Sequence, residues 1–509
     1  MLRPGLAGLA KRIAWPVSRR SVKPVTSHQR RYSTPSADED TPPVTRVPHR
    51  SRGNPYNASS KPVKLSIAGR AHSFAGSYLR DLCKCEICRD PSTRQKLELT
   101  TRVRGSVSPS SVDVHGDSVS ILWDEKSENV DRHVTELSLE TLARLAGLSS
   151  DGRMPDLPQR KLWLDEDFRN ETTDIPYDAY MQDDSTLLTA LRQLQTHGLV
   201  FLTEVPGSPE SVARIAERIG PLKNTFYGMT WDVRSVPAAK NVAYTSQNLG
   251  FHMDLLYMRQ PPHLQFLHCI RSSAEGGASL FSDTYRAVQT LYTRHPGHVQ
   301  TLTEVNVPYH YDHADAQPLG HYYQHSHPVI ALKPLHFTKS GDEPTTATFS
   351  HLNLLKRQAG QGNRAWALDQ LNNNFAAWVE SVAWSPPFQG PFAAPSFAGV
   401  TANPVAALEQ GFASWRKAAI AFDMTLHRRE AIHERLMKPG ECVLFDNTRI
   451  VHARKAFVPG DEGSERWLRG AYVDRDPYES RLKVLLKKER EEKGSMDELG
   501  APHWLPDAV

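Results

Sequence analysis

Apolar and polar residues alternate from Val112 to Trp123, which predicts a half-buried strand. Leu137, Leu139, Leu142 and Leu145 follow at helical spacing and predict an amphipathic helix. Leu264–Ile270 and Glu441–Phe445 are short apolar runs that read as buried strands. At Phe251-His252-Met253-Asp254 a strand would turn His252 and Asp254 to one face and Phe251 and Met253 to the other. Arg466, Leu468, Gly470 and Tyr472 share a strand face in the same way. No run of apolar residues is long enough for a membrane span.

The beginning of the chain has a different pattern. Leu2, Leu6, Leu9 and Ile13 fall near helical spacing among Arg, Lys and Ser, and residues 1–33 hold eight basic residues and no acid. This composition predicts a mitochondrial transit peptide and a matrix location, with Arg30-Arg31-Tyr32-Ser33 similar to a matrix-protease site. Residues 34–60, rich in Pro, Ser, Thr and Asn, read as a flexible linker. Without the eight leader charges the formal net charge falls from +4 to −4, so the body is mildly acidic. That argues against nucleic acid as a partner, because phosphate binding needs a concentrated basic face.

Three of the five cysteines form Cys83-Lys84-Cys85-Glu86-Ile87-Cys88. Three thiols this close cannot all form disulfides, but they can converge on one tetrahedral zinc. The fourth ligand is His115 or His133, and His133 is preferred because it lies between the predicted strand and helix. No open position or nearby base is evident, so the site reads as structural. Cys269 and Cys442 lie singly in apolar runs and read as core thiols.

His252 and Asp254, completed by the distant His452, make a two-histidine, one-carboxylate set that leaves three iron positions open. An isolated His-x-Asp is weak evidence. His313-Ala314-Asp315 is a second one, in a polar region without a strand pattern. His452 is predicted where one strand ends and the next begins. Arg466, on an inner strand face beyond His452, would need an anionic partner such as the distal carboxylate of 2-oxoglutarate. Ser279, after Gly276-Gly277, could donate to the same cosubstrate, although the two glycines also suit a plain hairpin turn.

With these residues the chain resembles the γ-butyrobetaine dioxygenase and trimethyllysine dioxygenase family, within the taurine-dioxygenase-like group, from about Leu65 to Leu485. The resemblance is carried by Leu79–Cys88, Thr225–Trp231, Asn241–Thr245, Phe251–Asp254, Gln265–Ile270 and Arg466–Tyr472. It implies a mainly β protein with flanking helices: a double-stranded β-helix (jelly-roll) catalytic domain over 165–490 and a small α+β zinc domain over 61–150. The zinc ligands would be Cys83, Cys85, Cys88 and His133. The implied cofactors are iron(II), 2-oxoglutarate and O2, with zinc structural and ascorbate keeping iron reduced.

The resemblance places 2-oxoglutarate on Arg466 and Leu267, and a trimethylammonium group among Tyr227, Trp231, Tyr244 and Tyr472. Such a group has no hydrogen to donate, so aromatic faces are its natural partners. Asn241 would hold the substrate carboxylate, and a homodimer is expected. The likeness leans to the butyrobetaine branch, whose product is L-carnitine. Two departures stand out: Ser385 occupies the place of a second family asparagine, and residues 340–405 hold an insertion. Residues 491–509 read as a C-terminal tail.

Overall fold

The structure is a computed structural model. It describes residues 61–492 except 68, 126–132, 147–155, 235–245, 274, 316–318, 334–374, 394–395, 397–402 and 459–465. The leader, the linker, nearly all of the tail, Asn241, Tyr244 and most of the 340–405 insertion therefore lie outside the described residues.

The N-terminal unit has a two-stranded ribbon, β1 (Pro62–Ile67) with β2 (Arg70–Ala75), and an antiparallel sheet of β3 (Pro109–His115), β4 (Ser118–Trp123) and β5 (Val134–Ser138). The single strand expected over Val112–Trp123 is thus a hairpin. Gly116 takes φ +54° at its turn, a conformation an L side chain resists. His115 sits exposed at that tip, which removes it as a metal ligand. Leu137 belongs to β5 rather than to the helix, which spans Leu139–Leu145 and is capped by the Ser138 hydroxyl. The alternating burial of Thr135 and Leu137 decides this in favour of a strand. Val63, Ile67, Leu79, Val119, Ile121, Trp123, Leu137 and Leu142 form the unit's core.

The larger unit holds two facing sheets. One has six strands in the order β6 (Ile175–Pro176), β7 (Leu199–Thr203), β17 (Glu441–Asp446), β10 (Leu264–Arg271), β19 (Trp467–Val473) and β8 (Thr230–Arg234). The other has four: β16 (His433–Arg435), β11 (Ser279–Asp283), β18 (Ile450–Arg454) and β9 (Leu249–His252). Phe201, Leu267 and Val443 of the first sheet meet Phe281 and Ile450 of the second in one cluster, so the inner faces pack on each other. Gly276 and Gly277, with φ of +75° and +77°, carry the chain from one sheet to the other between β10 and β11, so they do not form a hairpin.

Helices Asp184–His197, Ser211–Glu217 and Arg475–Glu492 cover the outer face of the six-stranded sheet over Leu264, Phe266, Leu444 and Val473. Full burial of such a side chain contributes roughly 1.5–3 kcal/mol. The Asp183 carboxylate caps the first of these helices, and Gly198 at φ +76° ends it and opens β7. At the seam, Arg449 and Asp283 form a fully buried ion pair of 2.8 Å.

A ribbon of β12 (Asn306–His313) and β13 (His321–Pro328) precedes β14 (Ile330–Leu332) and β15 (Val379–Val382). His313 therefore closes a strand, contrary to the patternless region expected there, because Tyr309, Tyr311 and His313 pair with His325, Tyr323 and His321 along one ribbon face.

Candidate active site

β9 ends at His252, so Asp254 lies just past the strand rather than within it. His452 is inside β18, directly opposite His252, not at a strand boundary. Its neighbour β11 extends the pairing on both sides and keeps that strand continuous. The three side chains nonetheless converge: one ligand atom from each lies within 4.8 Å of the others. Asp254 Oδ1 is 3.4 Å from His252 Nε2 and 4.0 Å from His452 Nε2. His313, in the second His-x-Asp, is 4.5 Å from Tyr311 by ring centroids on the ribbon and joins no such cluster among the described residues.

The donors are held in a metal-ready form. The Nδ1 hydrogen of His252 is directed at the Gly250 carbonyl, 2.9 Å away, which leaves Nε2 free. Burial and the neighbouring His252 push His452 down to about 3, so its imidazole is neutral. Burial would raise the Asp254 carboxyl, but its close contacts with His252 and His452 and the hydrogen bond from Tyr472 hold it well below the usual range. Asn447, fully buried, accepts from the Asp254 amide at 2.8 Å and donates to its carbonyl at 3.0 Å. Asp254 Oδ2 accepts from Gln265 Nε2 and from the Tyr472 hydroxyl, each at 2.7 Å.

A cavity that opens to solvent is lined by His252, Asp254 and His452 together with Tyr227, Trp231, Tyr257, Leu267, Ser279, Phe388, Arg454, Arg466 and Tyr472. Arg466 immediately precedes β19 and is buried. No carboxylate among the described residues pairs with it, and burial pushes its guanidinium down to about 10. Arg454 is pushed to about 10 as well, by burial and then by Arg466. Phe457 lies against both guanidiniums, at 4.9 Å and 5.6 Å. Two buried guanidiniums in one cavity favour a carboxylate ligand, which fits a 2-oxoglutarate anchor.

Tyr472 stacks on Trp231 with centroids 4.0 Å apart, so each covers one face of the other. The stack depends on Gly470, because a Cβ there would come within 2.4 Å of the Trp231 ring. Tyr257 and Phe388 complete the aromatic wall, and the sequence reading missed both. Tyr257 lies just beyond Asp254 at the end of an apolar cluster, and that proximity was its only signal. Ser385 is buried but does not line the cavity, and its hydroxyl has no partner among the described residues.

In the N-terminal unit Cys83, Cys85, Cys88 and His133 also bring one ligand atom each within 4.8 Å of the others. His133 Nε2 is 3.2 Å from Cys83 Sγ, 3.5 Å from Cys88 Sγ and 3.9 Å from Cys85 Sγ. Burial and Arg80 shift its imidazole down from the ordinary range, which favours the neutral form that binds metal. Burial and the neighbouring Cys83 push the Cys88 thiol up to about 12 in the absence of metal, and the hydrogen bond from Arg80 to its Sγ at 3.3 Å works against that rise. The set is consistent with one zinc ion.

Comparison with known proteins points the same way. Residues 161–472 match the taurine catabolism dioxygenase TauD/TfdA family. Dioxygenase str8 of Strobilurus tenacellus is 31% identical over 83% of this chain and 87% of its own. A γ-butyrobetaine dioxygenase of Pseudomonas sp. is 28% identical over 82% and 91%, and a trimethyllysine dioxygenase of Meyerozyma guilliermondii 21% over 87% and 97%. With its family and its relatives in agreement, the chain belongs to the TauD/TfdA family and is a 2-oxoglutarate-dependent dioxygenase.

Proposed function

We propose that this enzyme hydroxylates a small trimethylammonium substrate, foremost γ-butyrobetaine to L-carnitine. The observation that carries the reading is a single cavity holding the His252–Asp254–His452 set, the buried Arg466 and the aromatic wall of Tyr227, Trp231, Tyr257 and Tyr472. The named activities of the Pseudomonas and Meyerozyma relatives lend support. Residues 61–150 are assigned as a zinc-stabilised domain and 165–490 as the dioxygenase domain.

In this reading His252, Asp254 and His452 hold iron(II). With 2-oxoglutarate and O2, that centre supplies oxidative decarboxylation to succinate and CO2 coupled to hydroxylation of a C–H bond. Arg466 fixes the distal carboxylate of the cosubstrate, with Leu267 and Ser279 shaping its bed. Tyr227, Trp231 and Tyr257 present aromatic faces to the cation and thereby select which carbon meets the metal. Tyr472 joins this wall through its stack with Trp231 while its hydroxyl holds Asp254.

Ser385 favours a second reading. A serine that does not line the cavity cannot hold the γ-butyrobetaine carboxylate where a family asparagine would, which suits a substrate whose carboxylate sits elsewhere, such as trimethyllysine or another small zwitterion. Succinate release by the purified enzyme with iron, 2-oxoglutarate and each amine in turn separates the two. Turnover with γ-butyrobetaine is expected and should vanish in His252→Ala; no turnover with any trimethylammonium compound sinks the proposal.

A further inference from the structure

Gln265 is 2% exposed and sits on the inner face of β10, directly opposite Tyr472 of β19. The pairing delivers two hydrogen-bond donors, from adjacent strands, to the same atom. Both reach Asp254 Oδ2, while Oδ1 is the oxygen turned toward the two imidazoles. The amide of Gln265 cannot be reversed without setting its carbonyl oxygen against a carboxylate oxygen. Its orientation is therefore fixed, and its own Oε1 is left buried with no partner among the described residues. An apolar side chain would avoid the desolvation cost of that unpaired buried acceptor. The site tolerates it for the sake of the donor.

We infer that Gln265 is a positioning residue that, with Tyr472, restricts Asp254 to a one-oxygen metal ligand. A carboxylate in a cavity this open could otherwise close on a divalent ion through both oxygens and take up a coordination position. With Oδ2 occupied by two donors, only Oδ1 is available, and the position stays open for the cosubstrate. Asn447 holds the Asp254 backbone from the opposite side, so the carboxylate has little freedom to escape the restraint. The inference rests on the metal site proposed above and makes no use of the identity of the substrate.

The test is Co(II) binding to the full chain with zinc already loaded at the Cys83, Cys85, Cys88 and His133 set, so that only the second set is titrated, read by affinity and by the ligand-field spectrum. Gln265→Met keeps the length of the side chain and removes the donor. It should weaken Co(II) about 10–100-fold, the usual cost of losing a partner that orients a ligand. It should also shift the spectrum toward a higher coordination number, which a purely structural defect would not do. A folded Gln265→Met protein with wild-type affinity and spectrum overturns the inference. If that variant does not fold, the Co(II)-loaded wild type decides: Asp254 bound through Oδ1 alone, with Oδ2 on Gln265, upholds it, and Asp254 bound through both oxygens overturns it. Should wild-type Co(II) binding persist unchanged in His252→Ala, the metal-site reading itself fails, an outcome distinct from either of these.

Discussion

The Tyr472 hydroxyl donates to Asp254 Oδ2 at 2.7 Å, so a side chain expected to serve only as a wall for a cation also holds the carboxylate of the metal set. Tyr472→Phe preserves the stack on Trp231 and removes this bond. With zinc already loaded at the Cys83–His133 set, Co(II) affinity should fall about 10-fold or more while the affinity for a trimethylammonium ligand changes less. The reverse ranking, measured by titration with each, would return Tyr472 to a cage role alone.

Arg466 has no acid to neutralise it among the described residues, so its charge is available for a ligand. Removing one partner of a buried hydrogen-bonded charge pair costs roughly 2–5 kcal/mol. Arg466→Met should therefore raise the KM for 2-oxoglutarate by at least about 30-fold in steady-state kinetics, with the KM for the amine little changed. Equal KM values for 2-oxoglutarate would place the cosubstrate elsewhere.

Asp283 and Arg449 are an ion pair without solvent contact. Asp283→Ala leaves a buried guanidinium unpaired and should destabilise the protein by roughly 3–5 kcal/mol in denaturant unfolding. Replacing both residues with apolar ones should recover a large part of that loss, and a double variant as unstable as the single one would contradict this account.

His268, on the outer face of β10, is fully buried with neither ring nitrogen bonded among the described residues. Burial pushes it down to about 4. Its unfolded pKa is near 6.5, so the unfolded state takes up the proton first as pH falls. Stability should therefore be complete above about pH 6.5 and decline from there toward pH 4, by up to ~1.4 kcal/mol per pH unit from this residue. His268→Leu should flatten that part of the profile in thermal melts; an unchanged slope would assign the proton uptake to other groups.

Cys85→Ala leaves three donors at the zinc set and lies outside the dioxygenase cavity. Metal analysis should show lost zinc and melting should show a lower Tm, with kcat in the surviving folded fraction close to wild type. Loss of kcat without loss of Tm would give this site a catalytic part.

The two converging ligand sets were legible from residue types. His252, Asp254, His452, Arg466 and the Cys83–Cys88 cluster carry their chemistry on their faces, and their spacing fits strands or a tight turn. What the spacing could not convey was long-range pairing. Gln265 and Asn447 are ordinary polar residues until β10 pairs with β19 and the 446–449 turn meets Asp254. Tyr257 and Phe388 come from separate loops that only the fold brings to one wall. Local pattern also misled at His115 and Leu137, where a hairpin and a third strand replaced one strand and the start of a helix. Periodicity over a few residues does not say where an alternating run turns back.

Gly470 has a consequence for how this pocket could change over evolutionary time. The Trp231 ring lies where the first side-chain carbon of any other residue would be, at 2.4 Å. Even alanine would have to push the indole sideways, and with it the Tyr472 ring stacked upon it. The hydroxyl tethered to Asp254 would then be pulled out of line. A single methyl group on the strand behind the wall would reach the metal carboxylate by way of two rings. The bore of the pocket and the pose of the Asp254 carboxylate are therefore adjusted together at this position.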